Sequence, residues 1–299
     1  MVLPSESSPN PSSATPKLIT SRLLDLIRLS SQTGTLLLLL PTYWALVLAA
    51  NGTPPLNLLA IFACGAFLMR SAGVIINDLA DRKFDREVVR TKTRPLASGA
   101  LSPPQALVFL TILLLSAVLL LWFLNPLARW LSPVAVGLAT LYPFTKRFCH
   151  VPQFFLGLAF GWGTIMAWAA VQQNLAMPAW CLFGTTVCWA LAYDTIYALQ
   201  DRDDDRRIGV KSSALLFGHS VWIAVGGAEL LMLMFLTMAG LLAELNFAFY
   251  GVLAVIAGFL GQQVWRLRQE ISPTKAFILF RQHVGVGIVI LIGLWVGTL

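Results

Sequence analysis

Long apolar stretches alternate with short polar segments along almost the whole chain. Each stretch holds about 20 residues, the length that an α-helix needs to cross a bilayer, and none shows the two-residue alternation of a barrel strand. The stretches fall at about 33–50, 57–76, 104–124, 127–145, 151–171, 178–199, 220–243, 246–265 and 278–298. This pattern predicts an all-α integral membrane protein with about nine transmembrane helices.

The composition excludes a soluble or a disordered protein. Of the 299 residues, 57% are hydrophobic and only 12% are charged, and the mean hydropathy is +0.75. Soluble domains usually carry about a quarter charged residues, so this chain lacks the polar surface that a soluble globule needs. The four cysteines have no paired spacing and the three histidines are scattered, which predicts neither disulfides nor a zinc site.

Lysine and arginine collect on one predicted side of the membrane. Of the 21 basic residues, 18 lie in the segments 1–32, 77–103, 146–150, 200–219 and 266–277. Basic loops remain on the cytoplasmic side during insertion, so we expect a cytoplasmic N-terminus and a multi-pass protein of the inner (cytoplasmic) membrane. The net charge of +7 then reflects topology, and we expect no nucleic-acid partner.

The N-terminal segment differs from the rest of the chain. Residues 1–20 are rich in serine and proline, a composition typical of a disordered tail. No apolar region precedes residue 33, so a cleaved signal peptide is not expected. We therefore predict a tail over 1–20 and a single transmembrane domain over 21–299.

Acidic residues are concentrated in two short segments. Eight of the 14 lie directly after the second and the sixth apolar stretches. Polar side chains recur there every four residues, as Asn77, Asp81 and Asp85 in the first segment and as Tyr197, Asp201 and Asp205 in the second. Asp194 lies about one turn earlier. This spacing places each set on one face of a helix that continues from the membrane, and we call the two sets the first and the second ladder.

Two facing carboxylate ladders predict a site for Mg²⁺ and a diphosphate. Carboxylates one turn apart repel each other, and Mg²⁺ takes one or two carboxylates together with substrate phosphates. Arginine and lysine hold phosphate oxygens, and four candidates are Arg70, Arg94, Lys146 and Arg147. The alternative is a pair of solvated loops at the membrane boundary, and the matched spacing favours a shared site.

The sequence from about residue 22 to the C-terminus resembles the UbiA family of membrane-embedded aromatic prenyltransferases. The residues 77–85 match the pattern NDxxDxxxD, and 201–205 match DxxxD. The flanking segments resemble the 4-hydroxybenzoate polyprenyltransferase branch of that family, and they are 94–99, 142–147, 152–153, 194–198 and 209–214.

The resemblance implies a helix bundle around a central cavity and a transfer of a polyprenyl group from a polyprenyl diphosphate to 4-hydroxybenzoate. The family's product enters ubiquinone or plastoquinone biosynthesis, and the apolar tail lies among membrane lipids. The implied Mg²⁺ ligands are Asn77, Asp78, Asp81, Asp85, Asp201 and Asp205. Catalytic roles fall to Asp81, Asp201, Asp194 and Tyr197, and substrate contacts to Arg28, Arg70, Arg94, Lys146 and Arg147.

Two other functions stay open at this point. A prenyltransferase with another aromatic acceptor, such as homogentisate, would carry the same ladders. An ion-coupled transporter would place its acidic residues near the membrane midplane, whereas here they lie at helix ends on one side. The ladder positions therefore disfavour a transporter.

Overall fold

The computed structural model describes residues 16–145, 147–209 and 211–299. Within these ranges the structure is helical and has no strand. The α-helices are α1 (Pro16–Leu26), α2 (Thr33–Ala49), α3 (Leu56–Ala80), α4 (Arg82–Asp85), α5 (Pro103–Leu121), α6 (Pro126–Thr145), α7 (Pro152–Gln172), α8 (Met177–Ala198), α9 (Arg202–Ile208), α10 (Ser213–Phe217), α11 (Val221–Leu242), α12 (Phe247–Arg266) and α13 (Pro273–Gly297).

The long helices fall on the apolar stretches of the sequence. Among the described residues, six segments are long and apolar enough to cross a membrane, namely Leu56–Ala80, Pro103–Leu121, Pro152–Gln172, Ser213–Leu242, Phe247–Arg266 and Pro273–Gly297. Helix α2 is apolar but shorter, with 17 residues. The all-α prediction is confirmed, and the count of nine spans and the side of the N-terminus stay predictions.

The N-terminal segment is described only in part. Helix α1 begins at Pro16, so the last residues of the predicted 1–20 tail are helical. The rest of that predicted tail, residues 1–15, lies outside the described residues.

Helix α8 occupies the centre of the bundle. It packs against α7, α11, α13 and α2, and its Trp189 is fully buried beside Trp44 of α2, with ring centroids 5.0 Å apart. The polar atom of each indole has a partner. Trp44 Nε1 donates to the carbonyl of Gly287 at 2.9 Å, and Trp189 Nε1 donates to His283 Nδ1 at 2.9 Å. These two bonds join α2 and α8 to α13 inside an apolar core.

The outer helices expose apolar side chains. Leu115, Leu119 and Trp122 at the outer surface of α5 are more than half exposed. Contiguous exposed apolar surface of this extent is typical of a membrane-facing surface. The fold therefore buries the paired indoles of Trp44 and Trp189 at its centre and presents apolar side chains outward.

The helices of the two ladders are interrupted, which sequence spacing did not predict. Helix α3 ends at Ala80, and α4 begins at Arg82 after Asp81. Helix α8 ends at Ala198, and α9 begins only at Arg202. At the first break the four-residue hydrogen bonds continue, from Asp81 N to Asn77 O and from Asp85 N to Asp81 O, each at 2.8 Å. At the second break three-residue bonds replace them, from Gln200 N to Tyr197 O at 3.1 Å and from Asp201 N to Ala198 O at 3.3 Å, before a four-residue bond joins Asp205 N to Asp201 O at 2.8 Å. The ladders therefore keep their spacing although neither follows one unbroken helix.

Replacing Gly287 with alanine should destabilise the bundle. A Cβ at this position would lie 2.7 Å from Leu40 Cδ1 and 2.8 Å from Trp189 Cη2, so a rigid indole would have to move. Overpacking of this kind costs about 1–3 kcal/mol. The control is Gly285→Ala on the same helix, where nothing lies within 4 Å of the added carbon. Thermal unfolding in detergent should show a lower Tm for the Gly287 variant alone, and equal Tm values would contradict this packing.

Candidate active site

A large cavity of about 1090 Å³ opens where α3 and α8 end. Its wall is charged near the ladders, and these lining residues are Arg28, Arg70, Asn77, Asp81, Asp85, Arg90, Arg94, Arg147, Asp194, Tyr197, Asp201, Asp205 and Lys211. The other part of the wall is apolar and is formed by side chains such as Phe62, Leu121 and Phe160. One cavity thus joins a polar compartment to an apolar one.

The first ladder lies at the end of α3 and in α4. Asn77, Asp81 and Asp85 all line the cavity, and the two carboxylates are buried, with exposed fractions of 8% and 7%. Burial raises the pKa of Asp85 above its usual range, and the guanidinium of Arg94 opposes this rise. Arg94 Nη1 donates to Asp85 Oδ2 at 2.9 Å. The structure therefore brings together the predicted members of this ladder.

Asp78 faces away from the cavity. It is 2% exposed and does not line the cavity wall. Its Oδ1 accepts hydrogen bonds from Arg28 at 2.8 Å and from Arg94 at 3.2 Å. Asp78 thus holds two of the predicted substrate-contacting arginines at the polar end of the cavity, a position that fits an orienting role better than a metal ligand.

The second ladder faces the first across the cavity. Tyr197, Asp201 and Asp205 line the wall, as does Asp194 one turn before Tyr197. This juxtaposition follows from the fold, because α3 and α8 end at the same end of the bundle. The predicted ladders therefore meet at one site although they are 120 residues apart in sequence.

Arg90, from the segment that follows the first ladder, pairs with the second ladder, and sequence reasoning missed it. Its Nε and Nη2 donate to the two carboxylate oxygens of Asp201 at 2.8 and 2.5 Å. Its Nη1 donates to Tyr197 Oη at 3.0 Å. Burial is the largest single influence and acts to lower the pKa of Arg90, but the hydrogen bond to Asp201 and the nearby charges of Tyr197, Asp201 and Asp85 together outweigh it, so the pKa is raised. Charge alone does not distinguish Arg90 from Arg82 or Arg86 in the same basic segment.

The other predicted basic residues differ in their surroundings. Arg70 lies in the cavity wall within α3, and its Nε is buried without a hydrogen-bond partner in the described part of the chain. Arg147 lines the cavity and donates to the carbonyl of Ala80 at 3.4 Å. Lys146 lies outside the described residues.

The donor set of the cavity fits Mg²⁺ bound together with a diphosphate. Among the described residues no three acidic, histidine or cysteine side chains are grouped closely enough to hold a metal ion by themselves. Mg²⁺ usually binds through one or two carboxylates with substrate phosphates supplying the remaining oxygens. Carboxylates such as Asp81 and Asp201 on opposite walls of one cavity provide that partial set.

Replacing Asp78 with asparagine should lower the thermal stability of the protein. The change removes the buried charge that Arg28 and Arg94 share, and breaking a buried ion pair costs about 3 kcal/mol. The matched control is Glu87→Gln, because Glu87 is an exposed acidic residue of the neighbouring segment. Thermal unfolding of both variants measures the difference, and an unchanged Tm for Asp78→Asn would show that the pair contributes nothing to stability.

Solved structures of UbiA homologues share the fold of this chain. The chain matches the apo structure of a UbiA homologue from Aeropyrum pernix with a TM-score of 0.73 and 24% identity, over 88% of this chain and 98% of that one. It matches a UbiA homologue from Archaeoglobus fulgidus, bound to GPP and Mg²⁺, with a TM-score of 0.66 and 16% identity, over 90% and 99% of the two chains. At these identities the likeness shows the fold.

Sequence relatives cover nearly the whole chain. A 4-hydroxybenzoate octaprenyltransferase of Hydrogenovibrio crunogenus is 48% identical over 276 residues, which are 92% of this chain and 96% of the relative. The enzyme of the same description from Edwardsiella ictaluri is 46% identical over 90% and 93% of the two chains. The model of the UbiA prenyltransferase family matches residues 38–295. Together with its several apolar helices, this match establishes that the chain is a multi-pass membrane protein belonging to the UbiA prenyltransferase family.

Proposed function

We propose that this protein transfers a polyprenyl group from a polyprenyl diphosphate to the ring carbon ortho to the hydroxyl of 4-hydroxybenzoate, in ubiquinone or plastoquinone biosynthesis at the inner (cytoplasmic) membrane. The observation that carries the proposal is the single cavity with facing carboxylate ladders at one end and apolar walls beyond them. The relatives described as 4-hydroxybenzoate octaprenyltransferases, which align over nine-tenths of the chain, support the choice of acceptor. The proposed topology keeps nine spans and a cytoplasmic N-terminus, with one domain over 21–299.

The diphosphate binds between the ladders. Asn77, Asp81, Asp85, Asp201 and Asp205 would hold Mg²⁺, which supplies positive charge that polarises the diphosphate and stabilises it as a leaving group. In this structure Arg90 donates to both oxygens of Asp201, and movement of the guanidinium away from this carboxylate would leave both oxygens to a cation.

Released from Asp201, Arg90 can pair with the phosphate oxygens in the bidentate geometry that guanidinium groups favour. Arg94 and Arg147 line the same cavity and add positive charge, and Lys146, the neighbour of Arg147 in sequence, stays a predicted third member of this set. Such preorganised charges contribute most where negative charge develops, which here is the departing pyrophosphate.

The reaction breaks the bond between C1 of the prenyl group and the diphosphate oxygen, and the electron pair leaves with pyrophosphate. The resulting allylic cation lies beside aromatic faces, because Tyr193, Tyr197 and Phe280 all line the cavity. Each such face stabilises a cation by about 1–2 kcal/mol in a dry site. The ortho carbon of the acceptor forms the new bond, and its hydrogen is then lost as a proton.

The acceptor enters beside the basic residues of the wall. Its carboxylate pairs with Arg70 or Arg28, and its hydroxyl lies near Asp194 and Tyr197, which would accept the phenolic proton or hydrogen bond to it. Arg70 and Asn77 are seven residues apart on α3, so they share one face and are separated by about 10 Å along the axis. That separation leaves room for an aromatic ring between the carboxylate anchor and the diphosphate.

Single substitutions in either ladder should abolish transfer. Asp81→Ala and Asp201→Ala each remove a carboxylate proposed to bind Mg²⁺, so turnover should fall by about 100-fold or more. The assay incubates membranes containing equal amounts of each variant with labelled 4-hydroxybenzoate, a polyprenyl diphosphate and Mg²⁺ or EDTA. Glu87→Ala is the control because its side chain is exposed and does not line the cavity.

The wild-type protein and the Glu87 variant should form a lipid-soluble product that EDTA prevents. Near-normal turnover in both ladder variants would contradict the proposed site. If product formed from homogentisate and not from 4-hydroxybenzoate, the proposed ladder site would stand and the proposed acceptor would be wrong.

Replacing Arg70 should weaken binding of the acceptor selectively. Losing a hydrogen bond to a charged group costs about 1.5–3 kcal/mol, so Arg70→Gln should raise the KM for 4-hydroxybenzoate by about 10-fold to 100-fold. The KM for the polyprenyl diphosphate should stay unchanged. The methyl ester of 4-hydroxybenzoate has no carboxylate and should be converted equally by variant and wild type, and an equal loss with acid and ester would rule out a carboxylate contact.

A further inference from the structure

A second, smaller cavity lies on the other side of α9. It has a volume of about 270 Å³ and shares no lining residue with the large cavity. Helix α9 forms part of both walls, since Asp201 and Asp205 line the large cavity while Arg202 and Arg206 line the small one. The remainder of the small cavity comes from the start of α11 and from the segment after α12. None of the residues that line the small cavity contributes to the proposed transfer.

Three arginines line this cavity without acidic partners. Among the described residues, Arg202, Arg206 and Arg268 form no ion pair within 4.0 Å. The Nε of Arg202 is buried and has no hydrogen-bond partner among the described residues. Two carboxylates, those of Asp203 and Glu270, also line the cavity, so the formal charge of its wall is positive. A buried guanidinium nitrogen without an acceptor costs free energy, and an anion would relieve that cost.

Arg268 is held in a fixed orientation by two tryptophans. Its guanidinium carbon lies 4.4 Å from the centroid of the Trp222 ring and 4.5 Å from that of Trp265. Stacking uses the faces of the guanidinium plane and leaves the in-plane N–H groups free to donate. These in-plane N–H groups can bind two phosphate oxygens at once.

The start of α11 lies in the wall of the same cavity. Gly218, His219 and Val221 line it, where the 3-10 turn Gly218–Ser220 leads directly into α11, a helix of 22 residues. An anion held by the arginines of the cavity would therefore lie beside the start of α11.

The position of the cavity at the membrane surface identifies the kind of anion. It lies where the apolar helices α8, α11, α12 and α13 begin or end. Trp265 is 65% exposed beside it, and tryptophan is enriched at the level of lipid headgroups. We propose that this cavity binds the phosphate group of an anionic phospholipid, which Arg202, Arg206 and Arg268 hold beside the start of α11.

The test measures thermal unfolding of the full chain in nanodiscs. One set contains phosphatidylcholine alone, and the other contains phosphatidylcholine with one part in five phosphatidylglycerol. A ligand that binds only the folded protein raises Tm, so phosphatidylglycerol should raise the Tm of the wild type by a few degrees. Arg202→Gln and Arg268→Gln should lose this rise.

Arg266→Gln is the matched control. Arg266 is exposed, lies two residues from Arg268 and does not line the cavity, so the variant changes net charge equally and should keep the full rise. Arg206 is exposed and forms no ion pair with any residue that the structure describes, so Arg206→Gln replaces either variant that fails to fold. Its Tm rise should be smaller than that of the control.

Two results would overturn the proposal. An equal rise in all variants would show that phosphatidylglycerol acts through general membrane charge. A rise produced by inorganic phosphate in pure phosphatidylcholine, without any effect of phosphatidylglycerol, would show that the cavity takes a soluble anion. Native mass spectra provide a second readout, in which phosphatidylglycerol should remain bound to the wild type and to Arg266→Gln but not to Arg202→Gln.

Discussion

The structure around the candidate active site depends on one constraint. Carboxylates are buried where the apolar helices end, and positive charges must compensate them. Asp78, Asp81 and Asp85 are all less than a tenth exposed, and an unpaired charge in such a place is costly. Arginines from the intervening segments provide the balance, with Arg28 and Arg94 on Asp78, Arg94 on Asp85, and Arg90 on Asp201. The ion pairs of Arg90 and Arg94 hold the segment after α4 against the ends of α3 and α8.

The same charge balance explains how a site for a cation and a diphosphate can exist before either is bound. Asp78 keeps its arginines because it lies outside the cavity, so it orients Arg28 and Arg94 at the polar end. Asp201 differs because it faces the cavity. Its arginine partner can be exchanged for a cation of equal sign, and the arginine released is then available to the phosphate oxygens. Binding therefore redistributes charge that the fold has already assembled.

Sequence spacing predicted the ladders because both lie directly after apolar stretches and recur every four residues. It could not predict the breaks at Asp81 and at 199–201, since the polar side chains keep the same spacing across both although the hydrogen bonds change to three-residue bonds at the second. Asp78 was predicted as a metal ligand from its motif, whereas its side-chain direction depends on packing against Arg28, which is 50 residues earlier. Arg90 was missed because it lies in a segment without periodicity, where only the folded path of the chain decides which of several arginines reaches Asp201.

The central claim is that the two ladders act together as one site for a divalent ion and a diphosphate. The most direct measurement is a crystal structure of the protein with Mn²⁺ and a non-reactive prenyl thiodiphosphate, in which anomalous scattering locates the ions. We expect ions that contact carboxylates from both ladders, including Asp81 and Asp201, with Arg90 moved from Asp201 to the diphosphate. Ions bound to one ladder alone, or an Arg90 still paired with Asp201 beside a bound diphosphate, would contradict the claim.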